Sequence, residues 1–220
     1  MSDLKFDGVI FDLDGTLADT LDDLADALNR VLSSEELAVY DYAAVKYMIG
    51  NGIRQLIVDA LPLEQRTEET ITRCFDRFIA DYGKHCLVKT RLYDGVTQLL
   101  SALRADAVKL AVFSNKADEL TQRIADALIG SKNLDVIIGA QPGIPLKPDS
   151  AAALLVSSRL GIAPGRIAYL GDTPIDMLTA TAAGMIPVGV SWGFRTKDEL
   201  VENGASIVLD HPLELLELRE

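Results

Sequence analysis

Asp12 and Asp14 follow a short apolar run near the start of the chain, in a segment that continues with Gly15 and Thr16. In an extended chain, residues two apart point to the same side, so both carboxylates can face one point beyond the end of a strand. Two acids placed this closely need a reason, such as a shared catalytic or cation-binding site. A simple Asp-Gly turn in which Asp14 bonds its own backbone fits the same segment, and both interpretations stay open.

Three further polar clusters follow later apolar runs. If those runs are parallel strands, their carboxyl ends lie along one edge of a sheet, and the clusters converge on a single site. Each cluster alone also has a plain structural explanation: a loop entry, a solvated amine, or a helix start at Thr173 and Pro174 whose capping box Asp176 completes. The clusters are Ser114-Asn115, Lys147-Pro148, and Gly171-Asp172 with Asp176 four residues on.

The four aspartates of these clusters determine the expected chemistry. Asp12, Asp14, Asp172 and Asp176 offer only oxygen ligands, which suits Mg²⁺ far better than Zn²⁺. A carboxylate that attacks a phosphate monoester meets anionic repulsion, so a divalent ion and an ammonium such as that of Lys147 are the expected counter-charges. The set therefore predicts phosphoryl transfer through an aspartyl-phosphate.

Six apolar runs of strand type recur along most of the chain, each followed by a segment with helical spacing. The run Val9-Ile10-Phe11 is apolar without alternation, as expected of a parallel strand covered on both faces. We therefore predict an α/β fold with a doubly wound parallel sheet. The runs are Gly8–Asp12, Lys109–Asn115, Asp135–Ala140, Arg166–Asp172, Pro187–Trp192 and Ala205–Asp210.

Residues 18–88 break this alternation, because they contain several helical segments and no convincing strand. Helical stripes of apolar residues begin, for example, at Leu21 and Ile53. The gap far exceeds the dozen or so residues that a crossover between parallel strands needs. We predict an all-helical cap domain, residues 18–88, inserted into an α/β core domain formed by residues 1–17 and 89–220.

Composition narrows the class of protein. The chain has 220 residues, 49% apolar and 25% charged, which is ordinary for a soluble globular domain with an insertion. Its formal net charge of −12 disfavours a nucleic-acid partner. Cys74 and Cys86 lack metal-ligand spacing and fit reduced, packed thiols, and we find neither a secretory signal in residues 1–7 nor a membrane span. We expect a cytoplasmic monomer or homodimer.

Taken in chain order, the four clusters resemble the four motifs of the haloacid dehalogenase-like hydrolase superfamily. The resemblance spans nearly the whole chain, and the helical insertion resembles the cap that this superfamily places after the first strand. Ser114 stands where threonine is frequent, and Ser150 stands where a proline often follows the Lys-Pro pair. The matching segments are Asp12-Leu13-Asp14-Gly15-Thr16, Ser114-Asn115, Lys147-Pro148 and Gly171-Asp172-Thr173-Pro174-Ile175-Asp176.

The resemblance implies a role for each acid. Asp12 would be the nucleophile, and Asp14 the general acid/base whose main-chain carbonyl also joins the metal. Asp172 would be the third metal ligand, with Asp176 supporting the metal site, and the implied cofactor is Mg²⁺.

The resemblance also implies how the substrate is held. Ser114 and Lys147 would bind the transferring phosphoryl oxygens, with Lys147 part of the catalytic set. Asn115 and Thr16 would shape the loops around the substrate.

The insertion resembles the cap of the phosphoglycolate phosphatase-like branch, including Gly50, Asn51 and Gly52 between two helices. Glycines on both sides of Asn51 would let the backbone approach a small anion, with Arg54 as a bidentate clamp on a carboxylate or phosphate. A helix-helix turn with a surface arginine explains the same residues equally well.

The resemblance implies hydrolysis of a small phosphorylated metabolite, 2-phosphoglycolate or a similarly compact ester. Asp14 favours phosphate over halide, because the dehalogenases of the superfamily lack this second acid and need no metal. A closing cap excludes bulk water, which suits small metabolites better than phosphoproteins. A phosphosugar mutase of the β-phosphoglucomutase type uses the same aspartates and stays open as an alternative. A non-catalytic binding module is disfavoured, because every charged position of the set is intact.

Overall fold

Every apolar run predicted as a strand forms one, and the observed ends differ from the predicted ends by no more than two residues. The computed structural model describes residues 5–218. The strands are β1 (Gly8–Phe11), β2 (Ala18–Asp19), β3 (Arg91–Leu92), β4 (Lys109–Ala117), β5 (Val136–Ala140), β6 (Ile167–Gly171), β7 (Ile186–Val190) and β8 (Ile207–Leu209).

Helices occupy most of the chain between the strands. The first four belong to the predicted insertion, and the others alternate with the strands of the sheet. The helices are α1 (Leu21–Ser34), α2 (Tyr42–Met48), α3 (Ile53–Ala60), α4 (Glu68–His85), α5 (Val96–Ala105), α6 (Asp118–Leu128), α7 (Ala151–Leu160), α8 (Pro174–Ala182), α9 (Lys197–Glu202) and α10 (Glu214–Glu217).

Six strands form one parallel sheet in the order β5-β4-β1-β6-β7-β8. β1 lies near the centre and pairs with β4 on one side and β6 on the other. From β1 the chain adds β4 and then β5 on one side. It then crosses to β6 on the other side of β1, so the direction of winding reverses beside β1. In sheets of this kind, ligands bind outside the carboxyl ends of the strands at the point of reversal. Asp12 follows β1 directly at that point.

Apolar side chains cover both faces of the sheet. Val9 and Phe11 of β1 pack into the cluster that contains buried residues of α5 and α6, whereas Ile10 packs into the cluster that contains those of α7 and α8. A strand buried on both faces has a continuous apolar sequence, which explains why these strands could be predicted. The predicted doubly wound α/β fold is confirmed.

The helical stripes of the insertion form its interior. Leu24 and Leu28 of α1, Ile57 of α3 and Phe78 of α4 are buried in the same cluster as Phe11 of the sheet. The apolar interior therefore runs without a break from the sheet into the helices. Among residues 5–218, no helix combines the length and apolar character needed to cross a membrane.

Two short strands join the insertion to the sheet. The sequence indicated no strand between residues 18 and 88, and β2 corrects this, because a two-residue strand carries no periodicity to detect. β2 pairs with β3 in antiparallel fashion, so the two linkers lie side by side. Of the predicted core domain, residues 1–4 and 219–220 lie outside the described residues.

Buried Asp23 of α1 fastens the second linker. Its carboxylate accepts the backbone N–H groups of Lys89 and Thr90 at 2.9 to 3.0 Å and the Thr90 hydroxyl at 2.8 Å. The start of the insertion is thereby tied to the point where the chain returns to the sheet.

Candidate active site

The ends of four strands bring the predicted polar clusters together. Asp12 follows β1, Asp172 follows β6, and Lys147 lies on the loop after β5. The Lys147 ammonium is 2.8 Å from Asp12 Oδ1 and 2.7 Å from Asp176 Oδ1. Ser114, near the end of β4, lines the same pocket as Asp12 and Lys147. Residues from distant parts of the chain thus meet at one edge of the sheet.

Three buried carboxylates form a cluster at this edge. Asp12, Asp172 and Asp176 each offer an oxygen, and these oxygens lie within 4.8 Å of one another. Burial and repulsion between the carboxylates raise the pKa of Asp12 to about 7, against the pull of Lys147, and raise the pKa of Asp172 well above its usual range. A bound cation relieves such crowding, and an all-oxygen donor set is that of a hard divalent ion. The residues present therefore fit a metal site.

Two loops hold Asp172. Its Oδ1 accepts the Thr16 hydroxyl at 2.9 Å, and its Oδ2 accepts the backbone N–H of Phe194 at 2.8 Å. A Cβ at Gly15 would lie 2.2 Å from Asp172 Oδ2, and a Cβ at Gly193 would lie 2.2 Å from Asp172 Cβ. Only glycine permits this approach at both positions. The Thr16 hydroxyl is thus directed to Asp172, and not into the pocket.

Asp176 has two partners at the start of α8. Its Oδ2 accepts the backbone N–H of Thr173 at 3.1 Å and the Thr173 hydroxyl at 2.6 Å, which completes a capping box. Its Oδ1 accepts from the Lys147 ammonium. The helix-cap interpretation and the site interpretation of this residue are compatible, because the cap fixes the carboxylate that orients Lys147.

Asp14 has different partners from Asp12, although both line the pocket. The Asp14 Oδ1 atom accepts the Thr20 hydroxyl at 2.6 Å and lies 3.0 Å from the Lys116 ammonium. Its carboxylate is not part of the three-carboxylate cluster in the described chain. The two acids of the first motif therefore occupy distinct electrostatic environments, one beside Lys147 and one beside Lys116.

Sequence reasoning missed Lys116. Its side chain is buried, and its ammonium donates to the Tyr82 hydroxyl at 2.9 Å and lies 4.6 Å from the centre of the Tyr82 ring. Burial alone would lower the pKa of Lys116, but Asp14 and Tyr82 raise it above its ordinary value, so the ammonium stays charged. The one available signal was its position next to Ser114-Asn115 at the end of a strand.

Asn115 and Ser114 shape the loops around the pocket. Asn115 Nδ2 donates to the main-chain carbonyls of Gly50 and Lys147 at 3.1 and 3.2 Å, and its Oδ1 accepts the Lys147 N–H at 2.8 Å. The Ser114 hydroxyl accepts the backbone N–H of Lys116 at 3.2 Å. Asn115 thereby ties the Lys147 loop to the insertion.

A pocket of about 460 Å³, including its open mouth, lies between the sheet edge and the insertion. Gly50 and Gly52 line it, as the sequence suggested, whereas Asn51 is exposed outside the lining. Arg54 is not brought to the pocket, because its guanidinium pairs with Glu68 of α4. The insertion otherwise presents an apolar wall. This apolar wall consists of Leu24, Ile49, Ile53 and Leu56.

Arg195 is a second residue whose contacts the sequence did not predict. Its half-buried guanidinium donates to the main-chain carbonyls of Lys46 and Tyr47 at 2.8 Å and of Ile49 at 3.0 Å, and it lies 5.3 Å from the centre of the Tyr47 ring. A cation at the carboxyl end of α2 complements the exposed carbonyls there. The loop after β7, whose Phe194 N–H donates to Asp172, is thus also bonded to the insertion.

Comparisons with known proteins agree with this geometry. Residues 9–190 match the family model described as haloacid dehalogenase-like hydrolase. The chain is 34% identical over 208 residues to a phosphoglycolate phosphatase of Rhodospirillum rubrum, covering 92% of this chain and 86% of that protein. It is 29% identical to an N-acetylmuramic acid 6-phosphate phosphatase of Pseudomonas aeruginosa, covering 99% of this chain and 96% of that protein. A solved structure from Lactobacillus delbrueckii, provisionally described as a phosphoglycolate phosphatase, has a TM-score of 0.91 at 29% identity. The match covers 97% of this chain and 98% of that one.

A doubly wound sheet with a helical insertion after its first strand, and with clustered carboxylates and a lysine at its strand ends, defines the class of protein. The chain belongs to the haloacid dehalogenase-like hydrolase family, as its four motifs indicated. Within that family it falls in the branch that includes phosphoglycolate phosphatases.

Proposed function

We propose that this protein is a Mg²⁺-dependent phosphatase that hydrolyses 2-phosphoglycolate or a similarly compact phosphate monoester. The observation that carries the proposal is the Lys147 ammonium, which bridges Asp12 and Asp176 beside the buried carboxylate cluster. This arrangement places a carboxylate oxygen next to fixed positive charge, as attack on an anionic phosphoryl group requires. The names of the relatives support the substrate class.

In the first step, an Asp12 oxygen attacks phosphorus and the bond from phosphorus to the ester oxygen breaks. Asp14 donates a proton to the departing ester oxygen, so the product leaves as a neutral hydroxyl group. Lys147 and Ser114 hold the phosphoryl oxygens during the transfer. The product of this step is an aspartyl-phosphate on Asp12.

In the second step, Asp14, now a carboxylate, takes a proton from water as the water oxygen attacks phosphorus. The bond from phosphorus to the Asp12 oxygen breaks, which releases inorganic phosphate and restores the Asp12 carboxylate. Thr20 and Lys116 orient Asp14 for both proton transfers, because they are its direct partners.

The carboxylates of Asp12, Asp172 and Asp176 would hold the metal, together with the Asp14 main-chain carbonyl that the family resemblance implies. Bound Mg²⁺ would neutralise charge on the phosphoryl oxygens. Thr16, which donates to Asp172, then acts by orienting a metal ligand.

The remaining expectations belong to the same proposal. Residues 1–17 and 89–220 form the catalytic core, and residues 18–88 form a cap whose loop at Gly50 contributes to the substrate pocket. The partner is a small phosphorylated metabolite, and the protein is a monomer or homodimer. The free, buried thiols of Cys74 and Cys86 support a reducing, cytoplasmic setting.

A phosphate-release screen tests the proposed function. Purified protein is assayed on 2-phosphoglycolate and other small phosphorylated acids, on hexose phosphates including N-acetylmuramic acid 6-phosphate, and on nucleotides, each with Mg²⁺ and with a chelator. We expect Mg²⁺-dependent release that is fastest on the small acids. Robust release from hexose phosphates or nucleotides with none from the acids would discard the substrate class. Isomerisation of a sugar phosphate with little phosphate released would identify a mutase.

A further inference from the structure

Two buried ammonium groups line the pocket, those of Lys147 and Lys116. Lys147 is engaged at the reacting end, where it contacts both Asp12 and Asp176. Lys116 contacts Asp14 and, through Tyr82, the insertion. The pocket therefore has a second buried ammonium group, which is paired with Asp14 rather than with Asp12 and Asp176.

The Lys116 ammonium has one N–H to spare. An ammonium carries three donors, and here two are directed to Asp14 at 3.0 Å and to the Tyr82 hydroxyl at 2.9 Å. The described part of the chain supplies no third acceptor. β4 loses its regular register with β5 between Phe113 and Ala117, and Ser114 and Lys116 both face the pocket there. A substrate oxygen is the natural third partner.

The amino end of α3, which also lines the pocket, favours an anion there. α3 begins at Ile53 after Gly52, both residues line the pocket, and no side chain caps this helix end. The backbone N–H groups of a first helical turn carry partial positive charge and lack partners within the helix. The cation that the sequence suggested for this region, Arg54, is turned away toward Glu68.

We propose that Lys116, together with the amino end of α3, binds a carboxylate carried by the substrate. The preferred substrates are then phosphate monoesters in which a carboxylate lies one or two carbon atoms from the ester oxygen. This inference rests on the proposed phosphatase function and assigns Lys116 as its specificity-determining residue. A buried ammonium with an open donor discriminates strongly, because a substrate without a matching acceptor leaves that N–H without a partner.

The test compares two esters of equal length, 2-phosphoglycolate and 2-hydroxyethyl phosphate, in which a hydroxymethyl group replaces the carboxylate. We expect the wild-type protein to prefer 2-phosphoglycolate in kcat/KM. Lys116→Met should reduce that preference by at least about tenfold, since it removes a charge-assisted hydrogen bond to the carboxylate. The loss should lie mainly in KM for 2-phosphoglycolate.

Thr20→Val is the matched control, because Thr20 is the other donor to Asp14 and is not among the residues that line the pocket. It should lower turnover of both esters in the same proportion and leave the preference unchanged. If the methionine variant does not fold, as judged by thermal melting, Lys116→Gln keeps a polar end for Asp14 and Tyr82 and supplies the same comparison.

The possible failures are distinct. Equal losses on both esters in the Lys116 variants would mean that Lys116 acts through Asp14, which overturns the inference. A wild-type protein that hydrolyses p-nitrophenyl phosphate but does not distinguish the two esters also overturns it, while the proposed function stands. Absence of turnover on every phosphate ester with Mg²⁺ overturns the proposed function itself.

Discussion

The Asp12 carboxylate combines burial with contact to a fixed ammonium, and its replacement gives a direct prediction. Asp12→Asn should lower phosphate release by at least about a thousandfold, because the attacking anion is removed while the side chain keeps its shape. The fold should persist, since Lys147 retains Asp176 as a partner. Asp76→Asn, on the exposed side of α4, is the control and should leave turnover unchanged. Substantial residual turnover in the Asp12 variant would show that another group attacks phosphorus.

The raised pKa of Asp12 predicts how the stability of the metal-free protein changes with pH. An unfolded aspartate ionises near pH 3.9, whereas folded Asp12 keeps its proton up to about pH 7. Raising the pH from about 4 to 7 therefore ionises the unfolded state first, and the contribution of Asp12 to the free energy of unfolding falls over that window. Asp172, whose pKa is also raised, acts in the same direction.

Thermal melting in the presence of a chelator at pH 5, 6, 7 and 8 measures this effect. The wild-type melting temperature should fall relative to that of Asp12→Asn as the pH rises. Millimolar Mg²⁺ should remove much of the trend in the wild type, because the cation favours the ionised carboxylates. A difference between the two proteins that is constant with pH, or that grows in favour of the wild type, would contradict the assignment.

The loop after β7 links the carboxylate cluster to the helices of the insertion, since it contacts Asp172 through Phe194 and α2 through Arg195. Arg195→Met removes three hydrogen bonds to carbonyls at the end of α2, which leads into the loop at Gly50. We expect kcat/KM to fall by about tenfold, mainly through KM, because that loop lines the substrate pocket.

Arg166→Met provides the comparison for this loop. Arg166 forms an exposed ion pair with Asp7 on the far side of the sheet from the strand carboxyl ends. Its loss should change neither kinetic constant, since exposed ion pairs contribute little. If Arg195→Met also leaves both constants unchanged, the contact with α2 has no role in substrate binding.

The continuous apolar interior predicts that the whole molecule unfolds as one unit. Phe11 of the sheet and Leu28 of α1 share one buried cluster, and Asp23 fastens the returning linker. In a denaturant titration, the fluorescence of Trp192, the only tryptophan, and the far-ultraviolet signal of the helices should have the same midpoint. Two separate midpoints would mean that the insertion unfolds independently of the sheet.

Whether the sequence predicts a feature of this molecule depends on how far apart along the chain the interacting residues lie. The six strands were predictable because burial on both faces makes each one a continuous apolar run, as at Val9-Ile10-Phe11. Their order in the sheet was not, because the crossing from β5 to β6 leaves no local pattern. The motif residues near Asp12 and Lys147 were found because each follows its own strand.

Side-chain partners that lie on separate elements escaped prediction for the same reason. Lys116 next to Asn115 looks like a solvated loop residue until α4 brings Tyr82 against it. Arg54 looks like a clamp until Glu68 is seen beside it. Both outcomes depend on how helices pack in three dimensions, and the spacing of residues within one helix does not encode that.

The apolar wall of the pocket has an evolutionary consequence. Its four aliphatic side chains all come from the insertion, whereas every acid of the carboxylate cluster follows a strand of the sheet or lies in the helix after it. Mutation can therefore reshape the lining without disturbing the reactive groups. Substitutions that change a few methyl groups in this wall can therefore change which alcohol the enzyme releases. These four positions are the ones to vary in a mutant library aimed at new ester substrates.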